Sequence, residues 1–162
     1  MKTKLVKSMM SSLLLACALA TLVPAAIPPR GGTEGGRLQG TWEMQITLTD
    51  CAGHVIRSFP SLIEFVAGGT IVESNGGTPQ ALKTPGEGVW RHTIDNDYAF
   101  RFKFFTFNAQ NVFTGWTIIA GETTVDETGD ANVGSATVEV YNPNGVLVAT
   151  ACAETAGTRF GL

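Results

Sequence analysis

The sequence lacks the short motifs that mark the commonest catalytic and cofactor-binding centres. It contains no Gly-x-Ser-x-Gly nucleophile elbow, no phosphate-binding loop and no dinucleotide fingerprint. It has only two histidines, His54 and His92, and their placement does not match the ligand spacing of a metal site. We therefore assign no catalytic residue, no metal ligand and no cofactor, and whether the protein is an enzyme stays open at this point.

Basic clusters and long apolar runs are also missing. Three of the 11 basic residues lie in the first seven positions, so the rest of the chain carries eight basic and 14 acidic side chains, a net charge of −6. A chain this acidic is not expected to bind nucleic acid or an anionic membrane surface. The mostly apolar run Met9–Val23 is too short to be a secure membrane span.

The N-terminal segment has the order of a secretory signal peptide. Lysines come first, the apolar run follows, and the small residues Ala25 and Ala26 end it. This order predicts a signal peptide over residues 1–26 and a secreted or periplasmic protein with no stable membrane insertion after processing. The alternative is a lipoprotein whose modified residue is Cys17. Residues 27–37, rich in proline and glycine, are predicted to form a flexible leader before one domain over residues 38–162.

Alternation of apolar and polar side chains predicts that this domain is all-β. In Leu38–Asp50 every second residue from Trp42 to Leu48 is apolar, which is the pattern of a strand with one buried face. No later stretch has a helical period, and turn residues separate seven further predicted strands: Val55–Val66, Thr70–Asn75, Val89–Ile94, Tyr98–Phe107, Val112–Val125, Val133–Tyr141 and Val146–Thr155. Eight such strands form a barrel or a sandwich, and their even rhythm favours a single antiparallel up-and-down β-barrel.

Residues at the start of the first strand and after the last strand resemble those of the calycin superfamily, which includes the lipocalins and avidins. Gly40-Thr-Trp42 opens the first strand, and Arg159 follows the last one. In calycin barrels a Gly-x-Trp opens the first strand and a late Arg packs over that Trp at the closed end. The resemblance therefore implies a lipocalin-like barrel closed by Trp42 and Arg159, with an interior that can hold one small ligand. Allene oxide cyclase-like barrels are a comparable match in architecture.

Two cysteines remain after the predicted signal peptide, Cys51 and Cys152. In an oxidising compartment such a pair is expected to form a disulfide. One geometric difficulty stands against it. If Trp42 pairs with the end of the eighth strand, Cys51 is expected roughly 15–20 Å from Cys152 along the sheet, at about 3.3 Å per residue. The bridge then requires that residues 50–54 fold back or that the strand topology differs.

Aromatic side chains dominate the predicted inner face. The candidate ligand-binding residues are Trp42, Trp90, His92, Tyr98, Phe100, Phe102 and Phe104. They form either a filled core or the wall of a cavity, and the sequence does not decide between the two: the alanines of the eighth strand, with Ser135 and Thr137 of the seventh, would leave room opposite the rings. His92 is either a polar group inside that cavity or an ordinary core or rim histidine. Arg57 and Glu73 are expected to point outward, although an inward pair beside a ligand is the alternative.

Three functions stay open on this sequence, and the sequence favours the first over the other two. The first is a secreted, non-catalytic barrel that binds a small hydrophobic or aromatic ligand. The second is a cyclase or isomerase with its site in the barrel, in which His92, Tyr98 or Glu73 moves a proton. The third is a structural envelope protein with a filled core. Trp116 and Ile118, if they point outward, predict a surface for self-association, and Asp126–Asp130 is expected to be a solvated turn and not a calcium loop.

Overall fold

In a computed structural model, residues 36–161 form eight β-strands and one 3-10 turn. The strands are β1 (Gly40–Thr49), β2 (Val55–Val66), β3 (Thr70–Asn75), β4 (Gly86–Ile94), β5 (Asp97–Phe107), β6 (Phe113–Val125), β7 (Ala131–Tyr141) and β8 (Leu147–Arg159). The 3-10 turn is Gln80–Leu82, in the long connection between β3 and β4. The predicted signal peptide, the lipoprotein site at Cys17 and most of the predicted leader lie outside the described residues.

Each strand pairs antiparallel with the next, and β8 pairs with β1, so the sheet closes into a barrel. The prediction of an all-β, eight-stranded, antiparallel up-and-down barrel is confirmed. Closure leaves no sheet edge, which removes the unpaired backbone groups that promote aggregation. Within residues 36–161, no helix is long and apolar enough to cross a membrane.

Alternating burial along the strands explains why this sequence closes into a barrel. In β1, Trp42 and Met44 are buried while Glu43 and Gln45 are exposed. A residue on one face of a strand is two positions from the next residue on that face, so one apolar face per strand gives one shared interior. Pro60 fits in β2 because the ladder with β3 begins only at Ser61, so its missing N–H does not interrupt that ladder.

The two ends of the barrel differ in their packing. The start of β1, the end of β8 and the β2–β3, β4–β5 and β6–β7 turns meet at one end, which we call the closed end. Its core consists of large buried side chains: Leu38, Trp42, Phe65, Ile71, Trp90, Tyr98 and Val125. The other end, which we call the mouth, is framed by the four connections 50–54, 76–85, 108–112 and 142–146.

The eighth strand is longer than the sequence pattern predicts. It continues to Arg159 and pairs Trp42 with Arg159 and Thr49 with Cys152. The four additional residues after Thr155 shift the register, so Cys152 lies beside the end of β1. The expected separation of 15–20 Å between the cysteines is therefore wrong. The Cys51 and Cys152 Cα atoms are 4.9 Å apart and the side chains form a disulfide at the mouth.

Candidate functional site

An arginine and a tryptophan seal the closed end. The Arg159 guanidinium carbon lies 4.3 Å from the centre of the Trp42 ring, and Trp42 is fully buried. Arg159 Nε donates to the Gly129 carbonyl at 2.8 Å, and its two amino groups donate to the carbonyls of Gln39 and Arg37. These bonds tie β8 to the segment before β1 and to the β6–β7 turn. Arg37, assigned to the flexible leader in the sequence prediction, is thus held by the barrel.

A cavity of about 380 Å³ occupies the half of the barrel nearest the mouth. Its volume lies within the range of roughly 300–1,000 Å³ that is typical of small-molecule sites. Its wall is mainly apolar, with rings from β5 facing aliphatic side chains from β1, β6 and β7: Phe100, Phe102, Phe104, Ile46, Leu48, Ile119, Val138 and Val140. A larger concavity, bounded by β1, β2, β7 and β8, is more open to solvent than this cavity.

Small side chains on two strands create the empty volume. Ala136 on β7 and Ala149, Ala151 and Ala153 on β8 all line the cavity. They line the same cavity as the phenylalanines of β5, at positions where a fully packed core would need large residues. The interior of an eight-stranded barrel is just wide enough to be filled by large side chains. A row of alanines therefore leaves space for a small ligand.

A buried ion pair lies in the wall formed by β2 and β3. Glu73 is 3% exposed, and its Oε2 lies 2.9 Å from Nζ of Lys83, whose side chain is fully buried. The other oxygen, Oε1, accepts hydrogen bonds from Ser61 and Asn75. Lys83 Nζ also lies 4.7 Å from the centre of the Phe104 ring. The charge of the carboxylate is thus compensated by Lys83, and both oxygens accept hydrogen bonds while the side chain lines the cavity.

Glu73 therefore differs from its expected outward position. Its alternation partner on β3, Ile71, is fully buried, so the two side chains point into the barrel together. The partner is Lys83 and not Arg57. Sequence inspection missed Lys83 because it lies in a connection without periodicity, where a lysine is expected to be solvated.

Arg57 stands at the mouth. It lines the cavity from β2, is exposed to solvent, and donates through one amino group to the Gly77 carbonyl in the β3–β4 connection. Its guanidinium carbon lies 5.1 Å from the centre of the Phe59 ring. The ion pairs among residues 36–161 are His54–Asp50, Lys83–Glu73 and Arg159–Asp130, so Arg57 has no carboxylate partner in that part of the chain.

The structure separates six of the seven predicted ligand-binding residues into two groups of three. Phe100, Phe102 and Phe104 line the cavity. Trp42, Trp90 and Tyr98 instead belong to the packed core of the closed end, where Trp90 lies 5.8 Å from Tyr98 between ring centres. For these three residues the placement fits the interpretation as core. Alternation alone leaves that choice open because it fixes the face of the sheet that a residue occupies but not its depth along the barrel axis.

His92 lies at the closed end, outside the cavity wall. It is exposed, and its Nε2 lies 2.7 Å from the carbonyl oxygen of Asp95, in the β4–β5 turn. Its ring contacts the edge of Tyr98, with the ring centres 5.1 Å apart. Of the two interpretations of His92, this placement fits the rim histidine.

An aromatic cluster covers the outer surface near the mouth. Trp116 stacks between Phe113 and Tyr141, with ring centres 6.5 and 5.5 Å away, and Lys103 Nζ lies 4.3 Å above the Trp116 ring. A hydrogen bond from the Tyr141 hydroxyl to Glu139 raises the pKa of Tyr141 above its usual value of 10.0. Phe113 reaches this outer face because Gly115, with a φ of 129°, lies at a break in the β5–β6 register.

The acidic turn between β6 and β7 is organised by one aspartate. Asp126 Oδ1 accepts hydrogen bonds from the backbone of Gly129, Asp130 and Ala131. The Thr128 hydroxyl on Oδ2, together with these backbone donors, lowers the pKa of Asp126 below 3.8. Within residues 36–161 no group of three or more metal-ligating side chains converges, here or elsewhere.

Comparison with known proteins adds no family assignment. Neither a scan against protein-family models nor a search of curated protein sequences finds a match to this chain. Functional inference therefore depends on the cavity and the residues that surround it.

Proposed function

We propose that this protein binds one small, mainly apolar molecule inside the barrel, between the packed closed end and the mouth. The observation that carries the proposal is the cavity of about 380 Å³ with its largely apolar wall. A ligand bound there would cover apolar surface of the cavity wall. Burial of apolar surface contributes a favourable free energy of roughly 25 cal/mol per Å², which is the usual driving force for such binding. The cavity does not fit the alternative of a structural protein with a filled core.

The cyclase or isomerase alternative has less support. An enzyme of that type needs a side chain that is free to move a proton next to the substrate. Within the described residues, Glu73 is the carboxylate that lines the cavity, and both of its oxygens already accept hydrogen bonds. The candidate His92 lies outside the cavity wall, and Tyr98 belongs to the closed-end core.

We further propose that the protein is secreted or periplasmic and has a calycin-like barrel. The disulfide supports the compartment, because such bonds persist mainly in oxidising surroundings. The contact between Trp42 and Arg159 supports the calycin resemblance, as does the closed order of eight strands. The charged side chain of Arg57 at the mouth and a mainly apolar interior agree with transport or storage of a poorly soluble molecule.

A cavity-filling substitution tests the binding proposal. N-phenyl-1-naphthylamine, an uncharged apolar fluorophore, is titrated into the purified protein, and its emission is expected to rise and saturate. Ala151→Phe places a ring inside the cavity, and we expect it to weaken binding of the fluorophore at least about tenfold. The matched control is Ala156→Phe, because Ala156 is on the same strand, exposed and absent from the cavity wall.

The control separates filling of the cavity from damage to the fold. Thermal unfolding is measured for both variants, and Ala151→Leu replaces Ala151→Phe if the larger ring destabilises the barrel. Equal affinity in the wild type, Ala151→Phe and Ala156→Phe would contradict binding in the cavity. Absence of saturable binding to the wild type would contradict the proposal itself.

A further inference from the structure

The charges that line the cavity are unequal. Arg57 and Glu73 are the ionisable side chains in its wall, within the described residues. The Glu73 charge is compensated by Lys83 at 2.9 Å, in surroundings that exclude water from both side chains. The wall and its immediate support therefore carry one net positive charge, and that charge is at the mouth.

The guanidinium of Arg57 has N–H groups that donate no hydrogen bond within residues 36–161. One of its amino groups donates to Gly77, while Nε and the other amino group have no acceptor within residues 36–161. Contact with the Phe59 ring and the bond to Gly77 hold the guanidinium beside the opening. A guanidinium fork matches the two oxygens of a carboxylate, so an anion that projects from the cavity would find paired donors there.

From this arrangement we propose that the ligand is an amphiphilic anion, an apolar chain or ring system that ends in one carboxylate. Its apolar body lies against Phe102, Phe104 and Val138, and its carboxylate lies at the mouth on Arg57. The inference rests on the proposed binding function and adds the charge of the ligand and its orientation. In the opposite orientation the carboxylate of the ligand would lie near Glu73, whose charge is compensated by Lys83 and whose oxygens already accept hydrogen bonds. Removal of the ligand's carboxylate from water would then have a free-energy cost that no partner offsets.

Three ligands with the same chain test the head group. Decanoate, decan-1-ol and decylammonium are compared by their displacement of N-phenyl-1-naphthylamine at pH 8 and low salt, below their critical micelle concentrations. We expect decanoate to bind about tenfold more tightly than decylammonium. In Arg57→Gln, we expect decanoate to bind roughly three- to tenfold more weakly, a modest loss because the arginine is exposed, while decan-1-ol is unaffected.

Two further variants complete the experiment. Arg91→Gln removes the same charge from an exposed position on β4 that is not in the cavity wall, and is expected to leave all three affinities unchanged. Arg57→Lys keeps the charge without the fork and is expected to bind decanoate with intermediate affinity. Added salt is expected to weaken the binding of decanoate and leave that of decan-1-ol nearly constant.

The outcomes distinguish this inference from the function on which it rests. If decan-1-ol displaces the fluorophore but Arg57→Gln leaves decanoate unchanged, the anionic head group is refuted and the apolar site stands. Equal weakening of decanoate and decan-1-ol in Arg57→Gln would assign Arg57 a structural role and also refute the inference. If none of the ligands and no fluorophore binds, both proposals fail together.

Discussion

The buried pair of Glu73 and Lys83 allows the sharpest prediction about the barrel wall. Glu73→Leu leaves the ammonium of Lys83 fully buried, and no other acceptor within residues 36–161 lies within hydrogen-bond distance of its Nζ. Lys83→Met leaves a carboxylate that still accepts bonds from Ser61 and Asn75 and faces the cavity. Removal of one partner from a buried pair typically costs about 3–5 kcal/mol. We expect Glu73→Leu at the upper end of that range and Lys83→Met at the lower end.

The double variant is expected to recover most of this loss. With both charges absent no ion is buried, and replacement of a buried pair by apolar side chains of similar size is often close to neutral. The remaining cost is the unpaired donor of Asn75, at the lower end of about 1–3 kcal/mol because Asn75 is only half-buried, while Ser61 has a second acceptor in the Ser74 carbonyl at 3.2 Å. The two substitutions should therefore be strongly non-additive.

Urea unfolding followed by tryptophan fluorescence measures these differences. A slope of about 1–3 kcal/mol per molar urea implies that each single variant lowers the midpoint by at least about 1 M, and that the double variant lowers it less. A double variant whose loss equals the sum of the two single losses would refute the reasoning, because it would show that the two side chains do not interact. Fluorophore titration of the double variant checks that the cavity persists.

Four further outcomes are expected. Cys51→Ser with Cys152→Ser should lower the free energy of unfolding by about 2–4 kcal/mol, because the bridge spans 101 residues; a thermal unfolding temperature unchanged by the substitutions or by reductant would contradict this. Arg159→Lys should cost roughly 1–3 kcal/mol in urea unfolding, since lysine cannot replace both the fork of hydrogen bonds and the stacking on Trp42, and a loss no larger than that of Arg91→Lys would count against the seal. Because the pKa of Asp126 is lowered from 3.8, its contribution to stability is present above that value and is lost as the pH falls through the lower folded-state pKa. Asp126→Ala should therefore lose less stability than the wild type as the pH falls below 3.8, and curves of unfolding free energy against pH that run parallel for the two proteins would contradict this. Self-association through Trp116 and Ile118 stays a prediction: if the wild type sediments as a dimer, Trp116→Ser should sediment as a monomer, and an unchanged dimer would exclude this surface.

Most of the fold could be predicted because alternation is a local property. The bounds of β2 and β3 agree with the pattern at both ends, and every predicted strand overlaps an observed one. Alternation does not predict the last four residues of β8, because Ala156, Gly157 and Thr158 are small or polar and give no apolar signal. Gly157 points inward there, since a side chain at that position would collide with the Met44 sulfur, so the interior is filled from β1.

The cavity and its charges could be predicted only in part. Alternation predicts that Phe100, Phe102 and Phe104 lie on the inner face, but depth along the barrel depends on the stagger of strands that are distant in the sequence. Lys83 is buried because Glu73 lies beside it, and no local pattern in residues 76–85 shows that contact. The outer aromatic cluster depends on the bulge at Gly115, which moves Phe113 off the face that alternation assigns to it.

Xenon bound to crystals under pressure tests the central claim most directly, since apolar cavities take up xenon without any choice of ligand. The account predicts a xenon peak inside the barrel, among Phe102, Phe104, Ile119 and Val138, and no such peak in Ala151→Phe. Side chains that fill this region, or an open wild-type interior that takes up no xenon there, would contradict it.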